Sequence, residues 1–311
     1  MIVVVIAAAA LGLELGAGST RTFTAAPKHL TIDNPYEQQG TWYKGNLQAA
    51  SVRGLGRDLP SAIGRWYADH GYAFLGISDV NTYTWTSEFS GPRLTGVPVV
   101  DASYPFGDVL AVGDDHWLPA STAQEAIDWI AAGGALPVLA ESSVKRFGRQ
   151  AIPAIQRLFG LEIHDARLAA EGQPDVTGLW DQLLSSGNRV YAFAGDDAVS
   201  LQDPSIGHAW INVQAAAPGL VPLLSSLRRG AFVASTGPAF TSISVQGLTI
   251  TAEASPGTTV RFIGNDGRLL KAADASTATY TVSGTERYVR IEAIDADGSR
   301  AWSQPLFLVW R

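Results

Sequence analysis

Cysteine is absent from the 311 residues, which excludes a disulfide framework, a thiolate metal site and a cysteine nucleophile together. Histidine is scarce. His29, His70, His116, His164 and His208 are the whole supply for general-base work or transition-metal ligation, and no two of them have metal-ligand spacing. Basic charge is thin as well: 22 Lys and Arg, scattered along the chain, face 29 Asp and Glu for a formal charge of −7. A nucleic-acid partner is therefore not expected. No apolar run is long enough to span a bilayer. Residues 2–13 form a run of signal-peptide length followed by small residues around Gly16 to Ser19. Against export, no Lys or Arg precedes the run and Glu14 interrupts its end. Residues 1–19 thus read either as the signal peptide of an extracytoplasmic protein or as a buried strand of a cytoplasmic one, within an N-terminal segment 1–41.

What is present is enough for a full core. With 46% hydrophobic and 16% charged residues, a chain of this length suggests about two domains. From Trp42 to about Val213, short β-rich runs alternate with helical segments, the pattern of βα units on a parallel sheet. The runs lie at 47–49, 73–78, 97–101, 109–112, 135–140, 161–163, 190–194 and 210–213. Eight such runs suit a closed barrel. Ser121 with Gln124 reads as a capping box, Pro60 opens a helix that Gly71 ends, and Gly230 closes a helix over 220–229. After Pro238 the helical period stops, and alternating runs are joined by the hairpin signals Asn265-Asp266-Gly267 and Asp297-Gly298. This divides the chain into an α/β barrel over 42–238 and a small antiparallel β domain over 239–311.

Functional groups of a barrel collect at the C-terminal strand ends. Here those ends read Gln48-Ala49-Ala50, Ser78-Asp79-Val80-Asn81, Asp101, Glu141-Ser142, Glu162-Ile163-His164 and Gly195-Asp196-Asp197-Ala198-Val199. The expected mouth is acidic and poor in histidine. His116 is placed on a loop at that mouth, His208 at the opposite end, and His164 at a strand end facing the pocket.

Several segments in order resemble the PHP (polymerase and histidinol phosphatase) superfamily, most closely its carbaryl-hydrolase-like branch of metallohydrolases. They are the stretch 42–47, the stretch 66–75, Gly195-Asp196-Asp197-Ala198, Ser235-Thr236-Gly237-Pro238 and Ala301-Trp302-Ser303-Gln304-Pro305. The resemblance implies a distorted (β/α)7-type barrel and a multinuclear metal site. It would put imidazoles at Gln48 and Ala50, a carboxylate at Leu55 and a histidine between Asp79 and Asn81, where Val80 stands. It would also put a histidine at Glu141 and another at Val199, two after Asp197. Asp101 stands at a glutamate ligand position and Asp108 at a looser histidine position. Asp79 and Asp197 survive without their histidine neighbours.

Missing imidazoles remove metal donors outright. The acidic set of Asp79, Asp101, Glu141, Asp196 and Asp197 then has three readings. It can hold backbone amides as structural acceptors in a metal-free pseudoenzyme that serves as a ligand-binding or structural module. It can ligate calcium or magnesium together with Gln48. Or Glu141, Asp79, Asp101 and Asp197 can run carboxylate acid/base chemistry on a glycan or small polar substrate, without metal. Gln48, Asn81, Trp85, His116, His164 and Asp196 are the candidate ligand contacts. Tyr83 to Trp85, in the loop after Asp79, could stack on a sugar, as could Trp117, Trp180 or Trp210. A broad apolar patch on the β domain would point to self-assembly.

Overall fold

The computed structural model describes residues 29–311; the apolar run at 2–13 lies outside them. The described chain opens with β1 (Leu30–Asp33) and the long β2 (Thr41–Ala49). Helix α1 (Pro60–Asp69) begins on a proline, whose missing N–H costs nothing in a first turn, and ends before Gly71 at φ +80. Strands β3 (Phe74–Ile77), β4 (Thr95–Gly96), β5 (Val99–Tyr104) and β6 (Gly107–Val112) follow. Pro98 splits the strand expected over 97–101 because it has no N–H to give a ladder. Helix α2 (Ala123–Ala132) is capped by Thr122, whose hydroxyl accepts from Glu125 N, while Glu125 Oε2 accepts from Ser121 N. The capping box expected at Ser121 and Gln124 thus falls one residue later.

Next come β7 (Leu136–Leu139), α3 (Val144–Phe147), β8 (Gly160–Asp165), α4 (Ala166–Ala170), α5 (Thr177–Ser185) and β9 (Tyr191–Gly195). β10 (Trp210–Ala215), α6 (Leu220–Arg229) and β11 (Phe232–Ser235) complete this part. The strands β2, β3, β4, β5, β7, β8 and β9 run in one direction, as their parallel ladders and the parallel bridges Ala49–Ala198 and Val80–Asp101 require. Among the described residues the ladders do not close into a ring. β2–β3–β4 and β5–β9 belong to separate sheets that meet through those isolated bridges.

Two strands depart from the parallel expectation. β6 pairs antiparallel with both β5 and β7, turning back from β5 through Pro105-Phe106 without a helix. β10 pairs antiparallel with β2. A tight hairpin reverses the chain, whereas a parallel neighbour needs a crossover. Side chains from β2, β3, β5, β6, β7, β9 and β10 nevertheless fill one interior: Leu47, Phe74, Val99, Leu110, Val138, Phe193 and Ile211 pack there. Leu223 and Leu227 of α6 join the same cluster beside Val112 and Leu136, so α6 plugs the N-terminal end of the sheet. Each buried leucine contributes about 1.5–3 kcal/mol. Among the described residues no helix is long and apolar enough to cross a membrane.

The remaining strands are β12 (Phe240–Gln246), β13 (Thr249–Ala254), β14 (Thr259–Gly264), β15 (Arg268–Ala273), β16 (Thr277–Thr281), β17 (Tyr288–Ile294), β18 (Arg300–Ser303) and β19 (Leu306–Trp310). β12, β13 and β16 form one sheet; β14, β15, β17, β18 and β19 join the large sheet because β18 pairs with β11. Phe240, Ile250, Val260, Phe262 and Ile291 share the core between the two layers. β1 pairs with β19, and the side chain of Gln304 pairs like a strand with Ala192 of β9, giving and accepting at 2.8 Å. The β domain is therefore stitched to the α/β part through backbone as well as side chains.

Candidate functional site

The co-directional strands deliver their carboxylates to one end. Two of these groups are fully buried and fully engaged. Asp79, after β3, accepts from Ser51 N at 2.7 Å, Ser51 Oγ at 2.6 Å and Thr84 Oγ1 at 2.5 Å. It holds the loops after β2 and β3 together. Asp196 accepts from Asn46 Nδ2 at 2.7 Å, Tyr67 Oη at 2.6 Å and Gly207 N at 2.9 Å. Burial pushes Asp196 up to about 7, although Tyr67, Gly207 and Ala198 stabilise its ionised form. Every oxygen of the two carboxylates is thus hydrogen-bonded within the protein, and both residues are closed off from solvent.

A second group is crowded. Asp101, Asp108, Glu141, Glu162, Asp165 and Asp197 are linked by a chain of pairwise repulsions, Asp101 with Asp108 and Asp197, and Glu162 with Glu141, Asp165 and Asp197. Asp165 N donates to Glu141 Oε2 at 2.6 Å, and Glu141 N donates to Glu162 Oε2 at 3.0 Å. The Gln48 side-chain amide faces Glu162, and with its nitrogen assigned to that side it lies 3.1 Å from Oε2. Burial pushes Asp101 and Glu141 each up to about 8, with Asp108 adding to Asp101 and Asp165 to Glu141. Burial and Asp197 take Asp165 up to about 7, and burial holds Glu162 well above the usual carboxylate range. Asp101 Oδ1 and Asp165 Oδ2 are buried without a hydrogen-bond partner among the described residues. A neutral carboxyl tolerates that position far better than a carboxylate.

The cations that balance this crowd are arginines. Arg167, on α4, places Nε 2.9 Å from Asp197 Oδ2, and its Nη2 bonds the same oxygen. Arg146, on α3, pairs with Asp108 Oδ2, while Ser103 Oγ donates to Asp108 Oδ1 at 2.6 Å. Asp197 itself takes φ +46, a left-handed turn that aims its side chain at Arg167. The sequence reading missed Arg146, Arg167 and Asp165. Their only signal is a basic residue in the short helices that follow the acidic ends of β7 and β8.

The other sequence candidates scatter. Asn81, at φ +50, spends its amide on the backbone of Ser103, with Ser103 N donating to Oδ1 at 2.8 Å. Trp85 is 62% exposed beside Tyr83 on the loop after β3. Trp180 is core, its indole N–H bonded to Val190 O at 2.8 Å. His164 packs against Trp302 at the junction with the β domain, and burial lowers its pKa. His116 is a correction: Val112, the last residue of the reversed β6, pairs with Leu136, the first of β7. His116 therefore sits at the end opposite the carboxylates. The reversal of β10 moves His208 the other way, to the carboxylate end, where it is exposed. Leu55 is 73% exposed and fills no pocket.

The imidazole-rich donor set that the resemblance implies does not fit these residues: Ala50, Val80 and Val199 offer no donor, the Gln48 amide faces Glu162, both Asp79 oxygens are hydrogen-bonded, and Asp108 and Asp197 are each held by a guanidinium, which leaves Asp101, Glu141, Glu162 and Asp165 as the carboxyls of the crowded group with no ion pair among the described residues. Among the described residues, the group with ligand atoms close enough to share an ion is Asp114, Asp115 and His116, within 4.8 Å on the exposed loop after β6.

No family model and no curated protein sequence matches the chain. A solved structure does. A two-domain protein from Bacteroides vulgatus, containing a predicted PHP-like metal-dependent phosphoesterase, superposes with a TM-score of 0.51 at 10% identity, over 90% of this chain and 98% of that one. An amidohydrolase from Chromobacterium violaceum, with bound sulfate and no metal, reaches a TM-score of 0.39 at 12% identity over 59% of this chain and 95% of that one. That second overlap is too slight to argue from. The first shows a likeness of fold that runs through both the α/β part and the β strands that follow it.

Proposed function

We propose that this protein is a metal-free PHP-like module that binds a small polar ligand, such as a glycan, at the carboxylate end of its sheet. One observation carries the reading: Arg146 and Arg167 put fixed positive charge on Asp108 and Asp197, where the family's resemblance would put metal ions. A guanidinium neutralises a carboxylate without offering Lewis acidity or a bound hydroxide. Donors on the two half-exposed arginines, acceptors on the carboxylates and the exposed face of Trp85 together suit a ligand rich in hydroxyls. The test is elemental analysis of the full chain after incubation with zinc, manganese and iron and extensive dialysis. Transition metal well below one ion per chain is expected. One or more tightly held ions per chain would overturn the proposal and restore a metallohydrolase.

A second reading rests on the unpartnered Asp101 Oδ1 and Asp165 Oδ2 beside Glu141. A carboxyl protonated near neutral pH is a general acid, and an ionised neighbour is a base or nucleophile. On that reading the chain cleaves glycosides without metal. Hydrolysis of chromogenic glycosides, unaffected by chelator and reduced at least ~100-fold in Glu141→Gln, is the expected result. Equal rates in the variant would exclude Glu141 from the chemistry.

A further inference from the structure

At the opposite end from the carboxylates, where the β strands meet the α/β part, lies an open cleft of about 470 Å³ lined by Arg189, Arg229 and Arg311, with Asp33, Glu37 and Tyr191. A second cleft of about 380 Å³ shares Arg189 and Phe307 with it and adds Arg287. Three guanidiniums against two carboxylates leave the first cleft at +1, in a chain whose net charge is −7.

The arginines are held ready rather than consumed. Asp33 accepts from Arg189 Nη2 at 2.9 Å and from Arg311 Nη2 at 2.7 Å, which sets these two guanidiniums side by side. Arg189 also lies over the Phe307 ring, 4.4 Å from its centroid. Arg229, the last residue of α6, spends its Nη atoms on Ser225 and Ser226 at 2.9 and 3.1 Å. Its Nε is buried without a hydrogen-bond partner, and no carboxylate pairs with it among the described residues. With two serine hydroxyls as its side-chain partners, this guanidinium keeps a positive charge that no described residue of the cleft wall neutralises. The volume is that of a small-molecule site, and domain junctions are where such sites concentrate.

We propose that this junction binds a small organic anion, whose phosphate or carboxylate oxygens are received by Arg189, Arg229 and Arg311. The planar guanidinium fork matches both kinds of oxyanion, and prior fixing by Asp33 and Phe307 lowers the ordering cost of binding. The site is separate from the carboxylate end and independent of the function proposed there.

Calorimetric titration of the full chain with inorganic phosphate and, separately, with citrate tests it. Saturable one-to-one binding of at least one probe is expected, weakening as sodium chloride is raised. Arg229→Met should lower the affinity about tenfold or more, and Arg229→Lys, which keeps the charge but not the fork, should fall between. Arg261→Met, an exposed position on β14 that lines neither cleft, should leave it unchanged. Preference for phosphate identifies a phosphate ester as the ligand class, and preference for citrate a polycarboxylate. No saturable binding of either probe up to about 10 mM, or binding that a folded Arg229→Met variant retains in full, overturns the proposal.

Discussion

Replacing Arg290 with methionine is expected to lower the unfolding free energy by about 3–5 kcal/mol. Arg290 is buried on β17 and grips α5 across the junction: Nε lies 2.7 Å from Asp181 Oδ1 and Nη2 lies 2.8 Å from Oδ2. Its Nη1 donates to Glu292 Oε1 at 2.6 Å, and its guanidinium lies over the Trp180 ring. Tyr288 Oη donates to the same Asp181 oxygen at 2.8 Å. Methionine would keep the volume but leave two buried carboxylates with one hydroxyl between them, and that uncompensated charge is the source of the loss. The comparison that isolates it is Arg290→Met together with Asp181→Leu and Glu292→Met. With all three charges gone, most of the stability should return, because a buried ion pair is worth little over a well-packed apolar substitute. Urea titration of the three proteins measures this. A loss under about 1 kcal/mol in the single variant would mean that water reaches the pair, leaving Gln304 and the β11–β18 ladder as the main ties between the domains.

The α/β part followed by β strands was legible in sequence motifs, whereas the ladders do not close into the expected barrel and the arginines of the site were not legible. The motifs that carry the resemblance are scaffold. Asn46, of Gly-Asn-Leu, donates to Asp196 and to Gln48 O; Ser235, of Ser-Thr-Gly-Pro, donates to Pro238 O at 2.6 Å; Gln304, of Trp-Ser-Gln-Pro, clamps β9. Helix limits were legible for the same local reason, since Pro60 and Gly230 act on their own backbone. Strand direction was not. The reversals of β6 and β10 depend on pairing partners far away in sequence, so His116 and His208 exchanged ends. The arginines that neutralise the site were hidden because a basic residue on a short helix looks like any solvated charge until the carboxylate opposite it is placed. Asp79 illustrates the converse. Sequence left it open as a structural acceptor, an ion ligand or a catalytic group, and its three hydrogen bonds are those of a structural acceptor.

The unfolding free energy is expected to fall by about 2–4 kcal/mol as pH rises from about 5 to about 8. Burial raises Asp101 and Glu141 to about 8 and Asp165 and Asp196 to about 7 in the folded protein, whereas the unfolded chain releases these protons near pH 4. The folded state therefore holds protons that the unfolded state has lost. Stability from these groups is complete below about pH 4 and drains away as pH climbs through 7 to 8. The full sum over four groups is not expected, because neighbouring carboxyls titrate jointly and Arg146 and Arg167 favour ionisation. Glu286, held down at about 2 by hydrogen bonds from Tyr280 and Ser283, works in the opposite sense only in stronger acid. Urea titrations across this range, repeated for Glu141→Gln, make the test. The amide cannot ionise, so the variant should lose part of the slope and gain stability relative to the parent at pH 8. A flat profile in the parent would mean that the carboxylates are ionised throughout and that water or a bound cation compensates them. A falling profile that Glu141→Gln flattens would place neutral, proton-donating carboxyls at the carboxylate end near physiological pH. A hydroxyl-rich ligand would then find hydrogen-bond donors and acceptors side by side there.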